Sequence, residues 1–339
     1  MSRNLYRSFD FAQDDKQKLL VICGPTGVGK TALGIELAKK FNGEVVSADS
    51  RQIYKRLDIA TGKDIAGGER RKLLPYKEEG IEYYWEIKGI PIYLLDVVDP
   101  EENFSVAQYH QLATRAINYI QTVKKLPIIV GGTGLYVRSL LQNIQTLGIP
   151  PNESLRLAYK EKSANELFMI LSRLNLELAN SLNESEKSNK QRLIRRIEIA
   201  QSDPQLVELA KAAQNVLQLS LTAPYPILKQ KIYERIDQWV AQGAEKEIEK
   251  LLRSGVDWED QSMSSLGYKE WESYFKGEKT KDEAVTNWKA KEWQYAKRQL
   301  TWFKKDLATA WFDVTDPNYP LNVEEAVKNW YNGAGAEND

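Results

Sequence analysis

The chain is poor in the residues that build redox and metal centres. It has one cysteine, Cys23, and one histidine, His110. A disulfide within the chain is impossible, and a metal cluster is excluded as well. Cys23, inside an apolar run, reads as a small buried hydrophobe. His110 reads as a surface or helix-packing residue rather than a catalyst. Net charge is missing too, because 47 Lys and Arg balance 47 Asp and Glu. The chain as a whole is therefore no polyanion binder, and any nucleic-acid surface must come from local clustering. No apolar run approaches about 18 residues, so no membrane span is expected. The amino terminus has no signal-peptide apolar core, and a cytoplasmic, reducing location follows as an expectation. Repeats and low-complexity tracts are absent. What is present is a length of 339 residues, 42% of them hydrophobic, which suits one large domain with an insertion or two domains.

The densest chemistry lies in Gly24-Pro25-Thr26-Gly27-Val28-Gly29-Lys30-Thr31, which fits the P-loop pattern G-x-x-x-x-G-K-[ST] at every fixed position. Lys18 to Cys23 reads as a buried strand before it. Ala32 to Phe41 reads as a helix after it, with Leu33 and Leu37 one turn apart. Such a unit turns successive backbone N–H groups and a helix N-terminus toward one point, where a di- or triphosphate can sit. Lys30 adds a positive charge, and Thr31 offers a hydroxyl to Mg²⁺. A glycine-rich turn without a ligand is the plain alternative. The loop alone does not say whether the phosphates belong to a nucleotide.

Glu44 to Ala48 reads as a second strand ending at Asp49, and Ile92 to Leu95 as a third ending at Asp96. Pro127 to Val130 is a fourth, ending at Gly131-Gly132-Thr133-Gly134, and Val216 to Leu221 is a fifth. Helical patterns such as Val106 to Lys124 separate them. The alternation predicts an α/β fold with a P-loop doubly wound parallel sheet. Ligands of such sheets bind beyond the carboxyl ends of the strands. The Gly24 loop, Asp49, Asp96 and Thr133 would then surround one cleft. Residues 64–90, charged and aromatic, read as an inserted loop or small hairpin. Pro150-Pro151 reads as a hinge into a helical insertion domain. The expected organisation is a disordered tail over 1–17, a P-loop core over 18–140 and 201–320 with C-terminal helices, and the insertion over 141–200. Lys187 to Arg196 holds five cations and no acid, as either a solvated helix face or an RNA contact. Eight of the nine tryptophans lie at or after Trp239, and packing between helices is their expected role.

Further blocks follow the P-loop in order: Ser47-Ala48-Asp49-Ser50-Arg51-Gln52-Ile53-Tyr54, Asp58-Ile59-Ala60-Thr61-Gly62-Lys63, and Gly131-Gly132-Thr133-Gly134-Leu135-Tyr136. Later come Gln191-Arg192-Leu193-Ile194-Arg195, Leu266-Gly267-Tyr268-Lys269-Glu270 and Tyr295-Ala296-Lys297-Arg298-Gln299-Leu300-Thr301-Trp302-Phe303. The set resembles the tRNA dimethylallyltransferases, also called tRNA isopentenyltransferases, over residues 18–306. The resemblance implies that residues Gly24 to Thr31 bind dimethylallyl diphosphate rather than ATP. It implies transfer of the prenyl group to N6 of adenosine 37, in tRNAs that read U-starting codons, with loss of pyrophosphate. It further implies that the helical insertion clamps the anticodon stem-loop and that the protein is a monomer. Asp49 is implied as the base for the N6 proton, with a partner of Mg²⁺ or Thr31 as its other reading. Thr26 is implied beside the leaving group, and Mg²⁺ at Thr31. Asp49, Ser50, Arg51, Gln52 and Thr133 would line the pocket for the extruded adenine. Arg156, Gln191, Arg192, Leu193, Ile194 and Arg195 are the implied contacts of the insertion with tRNA. Lys297 and Arg298 would reach the RNA backbone or the diphosphate.

The sequence departs from the family pattern in places. Ile92-Tyr93-Leu94-Leu95-Asp96 stands where a His-His pair is usual before the third-strand end. Trp239 and Trp293 stand where arginines are usual. Losing two guanidinium groups near a diphosphate or RNA should weaken anion binding, because indole has one neutral donor. Three other readings fit a P-loop. One is a small-molecule or nucleoside kinase, for which Arg70 and Arg71 in the 64–90 segment are the candidate lid arginines. Another is a relative that holds tRNA without prenylating it. The third is a transferase acting on a free adenine nucleotide.

Overall fold

The computed structural model describes residues 18–65, 67–72, 81–142, 144–149, 151–202 and 215–333. The tail expected over 1–17 lies outside the described residues. These residues fall into two compact units, one built on a sheet (within 18–142 and 215–333) and one helical (within 144–202). Among the described residues no helix is long and apolar enough to cross a membrane.

Among the described residues eight strands form one sheet: β1 (Leu19–Cys23), β2 (Gly43–Ser47), β3 (Glu69–Lys72), β4 (Tyr83–Ile87), β5 (Ile90–Tyr93), β6 (Leu126–Gly131), β7 (Val216–Thr222) and β8 (Ala310–Asp313). Their order is β3-β4-β5-β2-β6-β1-β7-β8. From β5 to β8 every pairing is parallel. A parallel strand covered on both faces must be apolar throughout, and β1, LLVIC, is buried at every residue. The third expected strand stops earlier than its apolar run. Leu94 and Asp96 adopt φ of 63° and 55°, which no strand tolerates.

The segment around residues 64–90 takes the hairpin alternative: β3 pairs antiparallel with β4, and β4 with β5. The four residues of β3, ERRK, are all exposed, and charged side chains suit an edge strand that must not pair further. The opposite edge, β8, has no signature in the sequence because its four residues, AWFD, are too few to show a period.

Helices cover the sheet: α1 (Lys30–Lys40), α2 (Val106–Thr122) and α3 (Gly134–Leu141). His110 lies on α2, and its partly buried imidazole is pushed below its usual pKa by that burial. This agrees with a helix-packing role. The helical unit holds α4 (Glu153–Tyr159), α5 (Ala164–Leu174), α6 (Leu176–Asn180), α7 (Glu184–Lys187) and α8 (Lys190–Gln201). Each starts on a side-chain cap, from Asn152, Ser163, Asn175, Asn183 and Asn189 respectively, and such caps contribute about 1 kcal/mol each. Leu155, Leu167, Leu171, Ala179, Leu182, Leu193 and Ile197 form the unit's own core.

After β7 the sheet unit adds α9 (Tyr225–Gln242), α10 (Ala244–Arg253), α11 (Glu272–Phe275), α12 (Lys281–Phe303) and α13 (Tyr319–Asn332). The sheet unit thus runs past residue 320. Trp239 stacks on Trp288 with centroids 5.7 Å apart, and Trp288 meets Trp271 edge-on at 6.5 Å. All three are buried, as the packing expectation for the tryptophans required.

Candidate active site

The P-loop leaves β1 at Gly24, where φ is 139° and an added Cβ would stand 2.5 Å from the Leu221 carbonyl oxygen. Only glycine fits a backbone that close to β7. The loop ends at Gly29 (φ 87°), which caps α1, so the free N–H groups of the helix start face the loop's concavity. Lys30 Nζ donates to the Pro25 carbonyl at 2.6 Å. Burial first, then the positive charges of Arg235 and Arg51, push its pKa down to about 8, while Asp49 and Cys23 act to raise it. Thr31 is part-buried in the first turn of α1. Behind the loop, Cys23 Sγ lies 3.0 Å from Ser220 Oγ, and burial pushes the thiol up to about 11. It is an inert core residue, as its apolar surroundings in the sequence implied.

The carboxyl ends of β2 and β6 meet beside this loop. Asp49 Oδ1 accepts from the Arg51 backbone N–H at 2.9 Å, and Thr133 Oγ1 accepts from the Ser50 N–H at 2.9 Å. Gln52 Nε2 donates to the carbonyls of Thr61 and Gly62 at 3.2 and 3.1 Å. These contacts hold the Asp49 turn, the Gly131–Thr133 turn and the Thr61–Gly62 turn together. Asp96, the remaining strand-end acid, does not face the cleft. It is bound by the fully buried Lys63, and it accepts from Trp85 Nε1 at 2.9 Å.

One helix braces all of this. Along α12, Glu292, Tyr295 and Gln299 recur at helical spacing. Glu292 accepts from Arg51 Nη1 with both oxygens at 3.2 Å. Arg51 lies 5.1 Å above the Tyr295 ring. Burial opposes the charge of Arg51, but Glu292 and Asp49 together hold it firmly protonated. Gln299 Oε1 accepts from the Thr26 N–H at 2.9 Å, and its Nε2 donates to the Gly132 carbonyl at 2.8 Å. The sequence motifs assigned no role to Glu292, Tyr295 or Gln299. Their spacing of three and four residues was the available signal.

Beside Trp239, α9 carries a guanidinium of its own. Arg235, one turn before Trp239, places its guanidinium 4.5 Å over the Trp239 ring and donates to the Gly62 carbonyl at 3.4 Å. Its charge is felt at Lys30. Burial first, and then Arg51, hold Arg235 below its usual range. Trp239 is thus a platform under a cation. Trp293 packs edge-on against Tyr225 at 5.5 Å, with Lys297 Nζ 5.6 Å from its ring. Tyr93 is far from this chemistry: it donates to Glu44, near the start of β2, at 2.7 Å.

Within the helical unit the expected RNA contacts divide. Gln191 and Arg192 are exposed on α8. Leu193 has no exposed surface and belongs to the interior, so its burial rules out direct RNA contact, whereas Ile194 packs against the same core but is only half-buried. Glu198, 1% exposed, clasps Arg156 Nε at 2.7 Å and Arg195 Nη1 at 2.9 Å. Arg195 also donates to the carbonyls of Thr146 and Ile149, both at 2.8 Å, and is committed to holding the unit together. Arg156 keeps 42% of its side chain exposed. In the sheet unit, Lys297 and Arg298 are exposed on α12.

Among the described residues no group of three or more His, Cys, Asp or Glu side chains is placed to hold a metal. A Mg²⁺ ion at Thr31 would fit the donor set of one hydroxyl, water and substrate oxygens, which this small hard cation prefers.

The IPP transferase family model matches residues 52–306, and an isopentenyl transferase model matches residues 17–71. The tRNA dimethylallyltransferase of Bacillus cytotoxicus is 39% identical over 90% of this chain and 92% of its own length. That of Geobacillus thermodenitrificans is 37% identical over 92% and 96%. The crystal structure of the full-length tRNA isopentenylpyrophosphate transferase from Bacillus halodurans aligns with a TM-score of 0.65 at 32% identity, covering 94% of this chain and 98% of that one. A eukaryotic dimethylallyltransferase acting on tRNA shares the fold, with a TM-score of 0.74 at 24% identity over 95% of this chain and 81% of that one.

Proposed function

The chain belongs to the IPP transferase family, and we propose that it transfers a dimethylallyl group from dimethylallyl diphosphate to N6 of adenosine 37 in the anticodon stem-loop of tRNA, as a cytoplasmic monomer. The observation that carries the reading is the meeting of one carboxylate, Asp49, with three cations, Lys30, Arg51 and Arg235, at the mouth of a P-loop. A diphosphate needs the cations. An exocyclic amine, whose lone pair is delocalised into the purine, needs the carboxylate.

In the proposed reaction N6 bonds to the allylic carbon as its bond to the diphosphate oxygen breaks. The N6 proton passes to Asp49. Pyrophosphate leaves with added negative charge, which the loop N–H groups, Lys30 and Arg235 stabilise because they are already in place. Mg²⁺ held by Thr31 would neutralise further diphosphate charge when bound. Thr26, 8% exposed and tied through its N–H to Gln299, sits on the loop where the leaving group would lie. Ser50, Gln52 and Thr133 form the wall for the extruded base. Exposed Gln191 and Arg192, with Arg156, are the polar contacts the helical unit can offer RNA. The kinase reading loses its lid: Arg70 stacks on Tyr83 at 4.3 Å and Arg71 pairs with Glu86 at 2.9 Å, both within the β3–β4 hairpin.

The test combines the protein, dimethylallyl diphosphate, Mg²⁺ and unmodified tRNA reading U-starting codons, followed by mass analysis of digested nucleosides. Prenylated adenosine is expected from the wild type and not from Asp49→Ala. No product from folded, tRNA-binding protein would refute the transfer. Full product from Asp49→Ala would remove Asp49 as the base.

A further inference from the structure

The Asp58–Lys63 and Leu266–Glu270 blocks pack on each other in the sheet unit. A Cβ on Gly267 (φ 92°) would stand 2.9 Å from the Ala60 Cβ, so the second block closes directly onto the first. Glu247, on α10, joins them. Its Oε2 accepts from the Asp58 and Ile59 backbone N–H groups at 3.0 and 2.9 Å, and its Oε1 accepts from the Tyr268 hydroxyl at 2.5 Å. Tyr268 is fully buried. Burial pushes the Glu247 pKa up against the pull of these three donors. The far end of the Asp58–Lys63 turn is held by Lys63. Its buried ammonium donates to the Tyr54 carbonyl at 2.5 Å and to Asp58 Oδ1 at 2.7 Å, besides its bond with Asp96.

Between these anchors stands Gly62 (φ 63°), where the turn meets a cation of the site. A Cβ on Gly62 would stand 2.3 Å from Arg235 Nη2 and 2.6 Å from the Trp239 ring. The Gly62 carbonyl accepts from Arg235 and from Gln52. Turn and guanidinium are in direct contact, so a shift of the turn displaces the guanidinium. We propose that Glu247 is a positioning residue for the diphosphate site: it sets the Asp58–Lys63 turn, and the turn sets Arg235. The role rests on the proposed prenyl transfer, in which Arg235 meets the leaving diphosphate. It needs the reach of the Glu247 side chain rather than its charge. Glutamine has that reach: its oxygen can take both backbone N–H groups while its amide N–H meets the Tyr268 hydroxyl oxygen.

Titration calorimetry of the full chain with dimethylallyl diphosphate and Mg²⁺ tests it, beside thermal melting and the prenyl-transfer assay. Glu247→Ala leaves two backbone N–H groups without their acceptor and is expected to weaken Kd about 10-fold. Glu247→Gln restores Kd to within about twofold, because it keeps an acceptor at the same reach. In an Arg235→Met background Glu247→Ala weakens Kd by less than about twofold, since residues acting through one another are not additive. If Glu247→Ala does not fold, Glu247→Asp carries the test. It keeps the charge but is one methylene short, and a Kd weakened about fivefold is expected. An unmoved Kd in the folded Ala or Asp variant, the same loss with Arg235 absent, or no rescue by Gln overturns the role. A loss of melting temperature with Kd unmoved marks Glu247 as structural only and overturns it too. A wild type that neither binds the diphosphate nor forms prenylated adenosine removes the transfer reading and the role together, whereas wild-type transfer with an unmoved Kd in Glu247→Ala removes the role alone.

Discussion

Glu292→Gln is the substitution to which the site should respond most. The Glu292 side chain is 1% exposed and that of Arg51 9%, and they meet at 3.2 Å. At that distance and an effective dielectric constant of about 20, their attraction is about 5 kcal/mol. Much of this offsets the desolvation of two charges. Removing one partner strands the other, at a cost of about 3–5 kcal/mol. Glutamine keeps the shape and one acceptor, so the lower end, about 3 kcal/mol, is expected. At about 2–4 °C per kcal/mol, thermal melting should fall by about 6–12 °C. Activity should fall as well. The carboxylate still near the released guanidinium is Asp49, now 3.8 Å from Arg51 Nε. A direct pair would occupy the lone pairs that accept the N6 proton and lower kcat about 10- to 100-fold. The double variant Arg51→Met, Glu292→Leu should regain most of the stability, since an apolar pair can replace a buried ion pair. Scanning calorimetry and single-turnover prenyl transfer measure both effects. A Glu292→Gln protein that melts with the wild type and turns over at the wild-type rate would refute this account of the site.

Two further outcomes follow from the geometry. Trp239→Leu removes the surface beneath Arg235; KM for dimethylallyl diphosphate should rise about 3- to 10-fold, the worth of a partly desolvated cation–π contact, while KM for tRNA holds, and an unchanged diphosphate KM in the folded variant would contradict the platform role. Glu198 is pulled below its ordinary 4.5 because Arg156, Arg195 and the Asn152 N–H outweigh its burial. A depressed carboxylate contributes stability that is present above pH 4.5 and lost as pH falls through the lowered value. Amide exchange over α4–α8 in the full chain should therefore accelerate in acid. Glu198→Gln should accelerate it already at neutral pH and flatten the acid dependence; a wild type whose exchange opens no faster in acid, once corrected for intrinsic rates, would count against the clasp.

Much of the site is legible in the amino-acid sequence. The P-loop pattern names its own geometry, because a glycine at each turn, a lysine and a hydroxyl have few uses in that spacing. The strand ends at Asp49 and Thr133 are legible because apolar runs stop where the chain leaves the sheet. Motif matching goes too far at Leu193, whose apolar character already points to a core. It does not reveal Trp239 as a platform, which exists only because α9 stacks Arg235, four residues earlier, on its ring. β8 is hidden because so short a strand carries no period of its own.

The amino-acid sequence by itself determined the α/β class, the phosphate loop, the candidate base and the helical character of residues 153–201, since each depends on backbone geometry and hydrophobic pattern within a few residues. Only the tertiary structure decided which partner each buried polar group received. Gln299 meets Thr26 across 273 residues of chain, and Glu292 meets Arg51 across 241. A charge or amide removed from water must be matched by whatever packing brings beside it, and no local spacing specifies that neighbour.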